Sequence, residues 1–486
     1  MKQYQLYING KFVDEEREMF DVINPSNGEV VAQAPKATEA DVAAAVDAAY
    51  EAQKEWAKLP STERAEWVRK IGKAVGEKVD FFAHVIAEEQ GKTLGLSTVE
   101  ANVFATYCEY MAQWALRIEG EVIDSGANNE MVILKKEPIG VAAGILPWNF
   151  PFFLIARKMA PALVAGNTIV IKPSSDTPCN AYEVMKIIDE LGVPAGVINM
   201  VTGPGATVGN GLAANPKVGI VSMTGSVEVG AAIMAAASQN ITKVSLELGG
   251  KAPVIVMADA DLDLAAKAIF DSRVGNSGQI CNNAERIYLQ EDIAEEMTAK
   301  LVELMENTKY GDVLTDTDMT FDMGPIINEK QLLDIDAKVK HAVEQGAVVL
   351  CGGEIDTERN GGKGWYYKPT VLGNCTQDMD IMHIETFGPV LPLCTFKTMD
   401  EAIEMANDCE MGLASSIFTQ NVDYMMRACN EIKFGETYVN RWHFESIQGF
   451  HAGCRKSGIG GADGKHGFEE YLQTHVCYID WNTDKQ

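Results

Sequence analysis

The sequence predicts an α/β protein built around a doubly wound parallel sheet, and three observations carry that expectation. From about residue 138, short apolar runs ("GVAAGIL", "TIVIK", "VINMVTG", "GIVSMTG", "VSLELGG", "APVIVM") alternate with helical segments closed by Gly or Pro. The runs are continuously apolar, as strands covered on both faces must be. Ahead of them, residues 38–120 place apolar side chains three and four apart, the period of a helix face. The reading is a dinucleotide-type domain ending near residue 250, followed by a second α/β unit.

Taken in order, Thr38 with Asp41 forms a capped helix start, and "EADVAAAVDAAYEAQKEW" and "AEWVRKIGKAVGEKVDFFAHVIAEE" continue as helices. The stretch from 139 to 156 is the most hydrophobic, but Pro147, Asn149 and Pro151 interrupt it, so it reads as buried strand and loop and not as a membrane span. The second unit carries helices near 262–275, 292–308, 329–345 and 400–407, with strands "AVVLCG", "PTVLG" and "SSIFT". From about 470, "EYLQTHVCYID" alternates like an exposed strand, which needs another edge and so points to subunit pairing. No internal repeat or low-complexity linker is present.

With 486 residues, the chain has room for roughly three domains. Its net charge of −28 would repel phosphate backbones and anionic lipid, which argues against nucleic acid and membrane as partners. Ten cysteines without a C-x-x-C pair suit reduced thiols in a cytoplasmic protein, and "MKQYQLYING" has no apolar core of a signal peptide.

Several residues carry chemistry. Cys281 lies in "NSGQICNNAER", among polar side chains where most cysteines have apolar ones; only its thiolate would attack an electrophile, which calls for positive surroundings or a helix N-terminus. Glu247 interrupts the apolar run "VSLELGG": it is either a solvent-facing strand residue or a buried carboxylate of raised pKa able to act as a base. Asn149 could donate its amide to a developing oxyanion, though loop asparagines commonly only form turns. Lys172 ends the run "TIVIK", the edge at which open α/β sheets bind ligands, and is otherwise an ordinary surface lysine. "GPGATVG" (203–209) and "GSVEVG" (225–230) sit where a helix start can receive phosphate, but neither is the G-x-G-x-x-G fingerprint, and each alone reads more readily as a tight turn. "DADLD" (259–263) lacks the glycine and glutamate of a calcium loop and reads as a helix cap; "HAGC" (451–454) lacks a second ligand pair, and no metal site is expected.

Six motifs, "LPWNFP" (146–151), "IKPS" (171–174), "MTGS" (223–226), "LELGGK" (246–251), "GQICN" (278–282) and "ETFGPVLP" (385–392), occur in the order found in NAD(P)-dependent aldehyde dehydrogenases, which the chain resembles over essentially its full length. The resemblance implies that fold: a Rossmann-type cofactor domain (1–118 and 138–249), an α/β catalytic domain (250–469) and a small β oligomerisation element (119–137 and 470–486). It implies Cys281 as the nucleophile that passes through a thiohemiacetal and a thioester, Asn149 with the Cys281 N–H as oxyanion donors, and Glu247 as activator of the hydrolytic water. On the cofactor it implies Trp148, Lys172, Ser175, Gly225, Ser226, Glu385 and Phe387. One departure is Ser175, where many NAD-preferring members have a glutamate; a carboxylate would repel a 2′-phosphate, so NADP acceptance is expected.

Within the family, "FGETYVNR", "QGFHAG" and "RKSGIGGADGKHG" are similar to bacterial lactaldehyde and glycolaldehyde dehydrogenases, which implies Arg157, Glu445 and His451 as the pocket for a small hydroxyaldehyde. Trp442 and His443 depart from that subgroup. Succinate semialdehyde is the alternative, with Arg157 binding its distal carboxylate; a CoA-acylating enzyme is disfavoured by Glu247, and a non-catalytic protein by the presence of nucleophile, base and oxyanion donor together. A homodimer or homotetramer is expected.

Overall fold

The computed structural model describes residues 2–13 and 16–481; the last part of the proposed oligomerisation segment, 482–486, lies outside the described residues, as do positions 1, 14 and 15. The capped start at Thr38 forms a full capping box with Asp41, and four helices follow: Glu39–Trp56, Ser61–Gly76, Val79–Gln90 and Leu94–Ala112.

The apolar runs become the first sheet. Its parallel core runs Lys243–Glu247, Val218–Thr224, Val141–Ile145, Thr168–Lys172 and Ile198–Met200 in spatial order, every residue of the central Val141–Ile145 and Thr168–Lys172 being buried. Antiparallel Leu6–Ile8 and Lys11–Val13 extend one edge, and Gly458–Ile459 pairs with Leu246 and Glu247 at the other. The chain therefore returns to the first sheet shortly before its last strand. The run ending at Ile145 leads through a loop into the helix Phe153–Ala165, all of whose residues are buried.

A second sheet of seven strands has the order Val348–Cys351, Thr370–Gly373, Val390–Phe396, Ala284–Gln290, Ala252–Val256, Ala414–Phe418 and Glu436–Val439, parallel throughout except at the first pair. The turn between Glu247 and Ala252 carries the chain from one sheet to the other, and with it the two halves of the site. The alternating tail forms Leu472–Asp480 and finds its edge within the same chain, pairing with Glu130–Pro138 along its whole length. With Glu121–Asp124 these make a third, antiparallel sheet that leaves Val122 71% and Tyr478 74% exposed. Among the described residues no helix is long and apolar enough to cross a membrane.

Candidate active site

Parallel strands deliver their carboxyl ends to one edge of a sheet, where ligands bind in open α/β folds. Glu247, Thr224, the loop after Ile145 and Lys172 all stand at that edge of the first sheet. Opposite it, the helix Leu262–Val274 ends in a turn that leads through Cys281 into the buried strand Ala284–Gln290. Asn276 and Ser277 in that turn adopt left-handed φ of 49° and 59°, a conformation that Asn tolerates better than most residues. A cavity of about 1220 Å³ between the two faces is lined by Asn149, Glu247 and Cys281, by Trp148, Gly225, Ser226, Glu385 and Phe387, and by Arg157, Glu445 and His451. Lys172 and Ser175 do not line it.

Asn149 is fixed from several sides. Its carbonyl accepts from Lys92 Nζ (2.7 Å) and Asn276 Nδ2 (3.1 Å), while its own Nδ2 donates to the Gln279 carbonyl (3.0 Å). One of the two amide hydrogens remains for another acceptor. Lys92 is in turn paired with Glu100 (2.5 Å), both side chains fully buried, and Glu100 accepts from the Phe152 and Phe153 N–H groups. One buried ion pair thus ties the loop of Asn149 to the helix behind it.

Two electrostatic expectations are corrected. Glu247 is 4% exposed, and burial does push its carboxyl up, but Lys158, Arg157 and His451 together outweigh that and hold it below the usual carboxylate range. The apolar neighbours in its strand face away from these cations, which sequence order hides. Thr224 donates to Glu247 Oε2 (3.3 Å), and Lys158 Nζ donates to Thr224 (3.0 Å) and Ser222 (3.1 Å); burial pushes Lys158 down to about 8. Cys281, expected to be acidified, is pushed up by burial, and the His451 ring pulls it partly back.

Arg157 is not a free cation. It grips Asp463 with two hydrogen bonds (3.0 Å from Nε, 2.5 Å from Nη2), meets Glu445 at 3.2 Å, and lies 3.8 Å from Glu247. Asn282 donates to the other oxygen of Glu445 (3.0 Å). A distal substrate carboxylate would meet an arginine already faced by three carboxylates.

The aldehyde dehydrogenase family model matches residues 12–477. The chain belongs to the aldehyde dehydrogenase family. It is an aldehyde-oxidising oxidoreductase, as the six motifs imply. It is 54% identical to lactaldehyde dehydrogenase of Escherichia coli (strain K12), over 98% of each chain, and superposes on a crystal structure of that enzyme with a TM-score of 0.96, covering 98% of this chain and 99% of that one. It is 43% identical to 3,6-anhydro-alpha-L-galactose dehydrogenase of Vibrio sp. (strain EJY3), over 99% of this chain and 100% of the relative. D-glyceraldehyde dehydrogenase (NADP(+)) of Thermoplasma acidophilum is 37% identical over 98% of this chain and 96% of its own.

The residues of this aldehyde dehydrogenase suit a nicotinamide dinucleotide. Ser226 caps the eleven-residue helix Val227–Ala237, and Ser226, Val227 and Glu228 line the cavity, so that a helix start able to receive a phosphate stands at its wall. Trp148 and Phe387 meet edge to face at 5.4 Å beside Glu385, whose Oε1 accepts from the Gly250 N–H (2.9 Å). A glycine is required at Gly250, where a Cβ would lie 2.1 Å from the Cys281 carbonyl, while one on Gly249 would lie 2.4 Å from Glu385 Oε2 and push that carboxylate aside. Burial, with Glu285 nearby, pushes Glu385 up to about 8. Lys172 is pushed down to about 8 by burial, and Ser175 donates to the Gly203 carbonyl (3.2 Å).

Sequence reasoning missed Glu436, Asp463 and Lys158. Each is a charge inside an otherwise apolar or glycine-rich run, a signal as strong as the one at Glu247. His443 was noticed only as a departure; it is 6% exposed, shares a hydrogen bond of 3.2 Å with Ser272, and burial pushes its ring down to about 3, which keeps it neutral. The "DADLD" stretch is the cap that the sequence suggested, Asp261 accepting from Leu264 N (3.0 Å).

Proposed function

We propose that this aldehyde dehydrogenase oxidises a small hydroxyaldehyde, of the lactaldehyde or glycolaldehyde class, to its carboxylic acid with NAD(P)+. The neutralised state of Arg157 carries the reading: with Asp463, Glu445 and Glu247 around it, the pocket offers hydrogen bonds but repels a second carboxylate. A substrate hydroxyl finds partners at Glu445, His451 and Arg157 that an apolar tunnel would lack. The names of the hydroxyaldehyde-oxidising relatives support the same class.

Cys281 attacks the aldehyde carbon, and the free amide hydrogen of Asn149 with the Cys281 N–H receives the oxyanion. The bound cofactor supplies a hydride acceptor. Trp148, Phe387 and Glu385 would hold its nicotinamide end, Gly225 and Ser226 its phosphates, and Lys172 with Ser175 its adenosine ribose. Glu247, already ionised, takes a proton from the water that releases the acid from the Cys281 thioester. Asp176, whose charge acts on Lys172, returns a carboxylate one position beyond Ser175, which supports use of both NAD and NADP. The exposed faces of Val122 and Tyr478 support a homodimer or homotetramer built on the third sheet, and the negative charge and unpaired thiols suit a cytoplasmic enzyme. The three-part division at 118, 138, 250 and 470 is proposed with it.

A panel of aldehydes compared by kcat/KM tests the reading. Lactaldehyde or glycolaldehyde should exceed succinate semialdehyde, and Cys281→Ala should abolish turnover while still binding cofactor. Faster oxidation of succinate semialdehyde, or an active Cys281→Ala enzyme, would defeat it.

A further inference from the structure

We propose that His451, clamped by Glu436, is the cation that holds the Cys281 thiolate, so that the nucleophile is prepared by a histidine and Glu247 is left for the later water. This rests on the reading of Cys281 as nucleophile and deepens it.

The ring is built into its place. His451 is 2% exposed, and its backbone exchanges two hydrogen bonds with Ala462, each 2.9 Å. Nδ1 lies 2.7 Å from Glu436 Oε1, and the other oxygen of Glu436 accepts from the Tyr438 hydroxyl at 2.7 Å. The Nε2 edge is therefore the one left toward the cavity that His451 and Cys281 both line. Glu247 meanwhile is turned to Thr224 and Arg157.

The charges around the ring decide which protonation state the pair adopts. Carboxylates reach it from four directions: Glu436 on its strand, Glu445 on the preceding loop, Asp463 before the last helix, and Glu247 at the end of the first sheet. Against them stand Arg157 and Lys158, and Glu385 acts with Glu445 on the sulfur itself. Burial alone would strip the ring of its charge, yet Glu436 and its companions hold it well above the ordinary histidine value.

A cysteine and a histidine that line one cavity and act on each other's charge titrate as a pair. When one proton leaves the thiol and imidazolium for solvent, the remaining proton can rest on sulfur beside a neutral ring, or on the ring beside a thiolate. The Glu436 carboxylate favours the second arrangement, because it stabilises a positive ring at 2.7 Å. The sulfur is then anionic and the ring keeps both N–H groups. Attack forms the sulfur–carbon bond and moves the carbonyl electron pair onto oxygen; thioester hydrolysis returns the thiolate to the same imidazolium.

The test is the pH dependence of Cys281 alkylation by iodoacetamide in the full-length enzyme without aldehyde, with the Cys281→Ala background subtracted. His451→Gln should move the inflection up by at least about one pH unit and slow alkylation near neutrality by about tenfold. Glu436→Gln should shift it in the same direction by less, and serves as the second variant should His451→Gln fail to bind cofactor. Glu247→Gln should not raise it. An unshifted inflection in both His451→Gln and Glu436→Gln, or an equal rise in Glu247→Gln, overturns the proposal. So does a His451→Gln enzyme with raised KM and unchanged alkylation, the pattern of a residue that only binds substrate hydroxyl. The aldehyde panel and the Cys281→Ala turnover assay fail separately if the reading of the nucleophile is wrong.

Discussion

Two buried charge clusters flank Cys281, and they differ in whether their charges are settled. In the first, Glu285 takes Lys251 Nζ at 2.6 Å and Arg273 Nη1 at 2.8 Å, and its two oxygens also accept the Thr386 and Phe387 N–H groups at 3.0 and 3.1 Å. Burial pushes its carboxyl up, but Arg273 and Lys251 overwhelm that and hold it down at about 2. In the second, Arg157 and His451 face Glu247, Glu436, Glu445 and Asp463. There burial raises Asp463, while Glu445 is drawn down to about 2 by His451 and Arg157 against its own burial. One cluster keeps its carboxylate firmly ionised and holds a loop, here the one bearing Glu385 and Phe387. The other spreads its pKa values apart and can exchange protons, as a catalytic cluster must.

The sharpest way to break the comparison is to take one charge from the settled cluster. Glu285→Gln strands two buried cations and turns one of the two oxygens that accept the Thr386 and Phe387 N–H groups into a donor, so it should destabilise the protein by about 3–5 kcal/mol and lower its thermal midpoint accordingly. The pH dependence has a defined sign. A carboxyl near 2 in the folded protein and about 4.3 in the unfolded chain stabilises fully above the latter value, and that stability is lost as pH falls toward the former. The gap in stability between wild type and Glu285→Gln should therefore close on acidification below about pH 4. A gap that stays constant down to pH values near 2 would mean that Glu285 is not the paired anion described here.

The same contrast explains how much could be read beforehand. The strands "TIVIK" and "APVIVM" were legible because a parallel strand buried on both faces is apolar throughout. Ala284–Gln290 was not among the expected strands, since "AERIYLQ" carries Glu285 and Arg286 into the interior, each satisfied by partners far along the chain. Cys281, Asn149 and Glu247 were visible from local motifs and resemblance. Asp463 was not, because the arginine it neutralises is 306 residues away. The direction of the Glu247 shift failed for the same reason: Lys158 and Arg157 come from another helix, and a local window shows only its apolar neighbours.

In the unsettled cluster the expected loss is smaller and the specificity should change. Asp463→Asn keeps the shape beside Arg157 but removes its bidentate anion, leaving Glu445 and Glu247 to face the guanidinium. The ratio of kcat/KM for succinate semialdehyde to that for lactaldehyde should rise by about tenfold, with a stability cost of roughly 1–3 kcal/mol. An unchanged ratio would show that Arg157 is not what turns a distal carboxylate away.

The smallest effect belongs at the rim, where water screens charge. Ser175 is half-buried beside Asp176 at the end of the first sheet, outside the cavity that Arg157, Glu247, Glu445 and His451 line. Ser175→Glu adds a second carboxylate near Lys172, and a 2′-phosphate would meet it across partly solvated space. At the effective dielectric of such a site the repulsion amounts to about 1 kcal/mol, so the ratio of kcat/KM with NADP to that with NAD should fall about fivefold to tenfold. Raising the salt concentration should shrink the difference, because exposed charges are screened within about 10 Å at 0.1 M. A fall of several hundredfold, insensitive to salt, would instead mean that this position closes into a dry pocket when the cofactor binds, and the rim would then belong with the buried clusters.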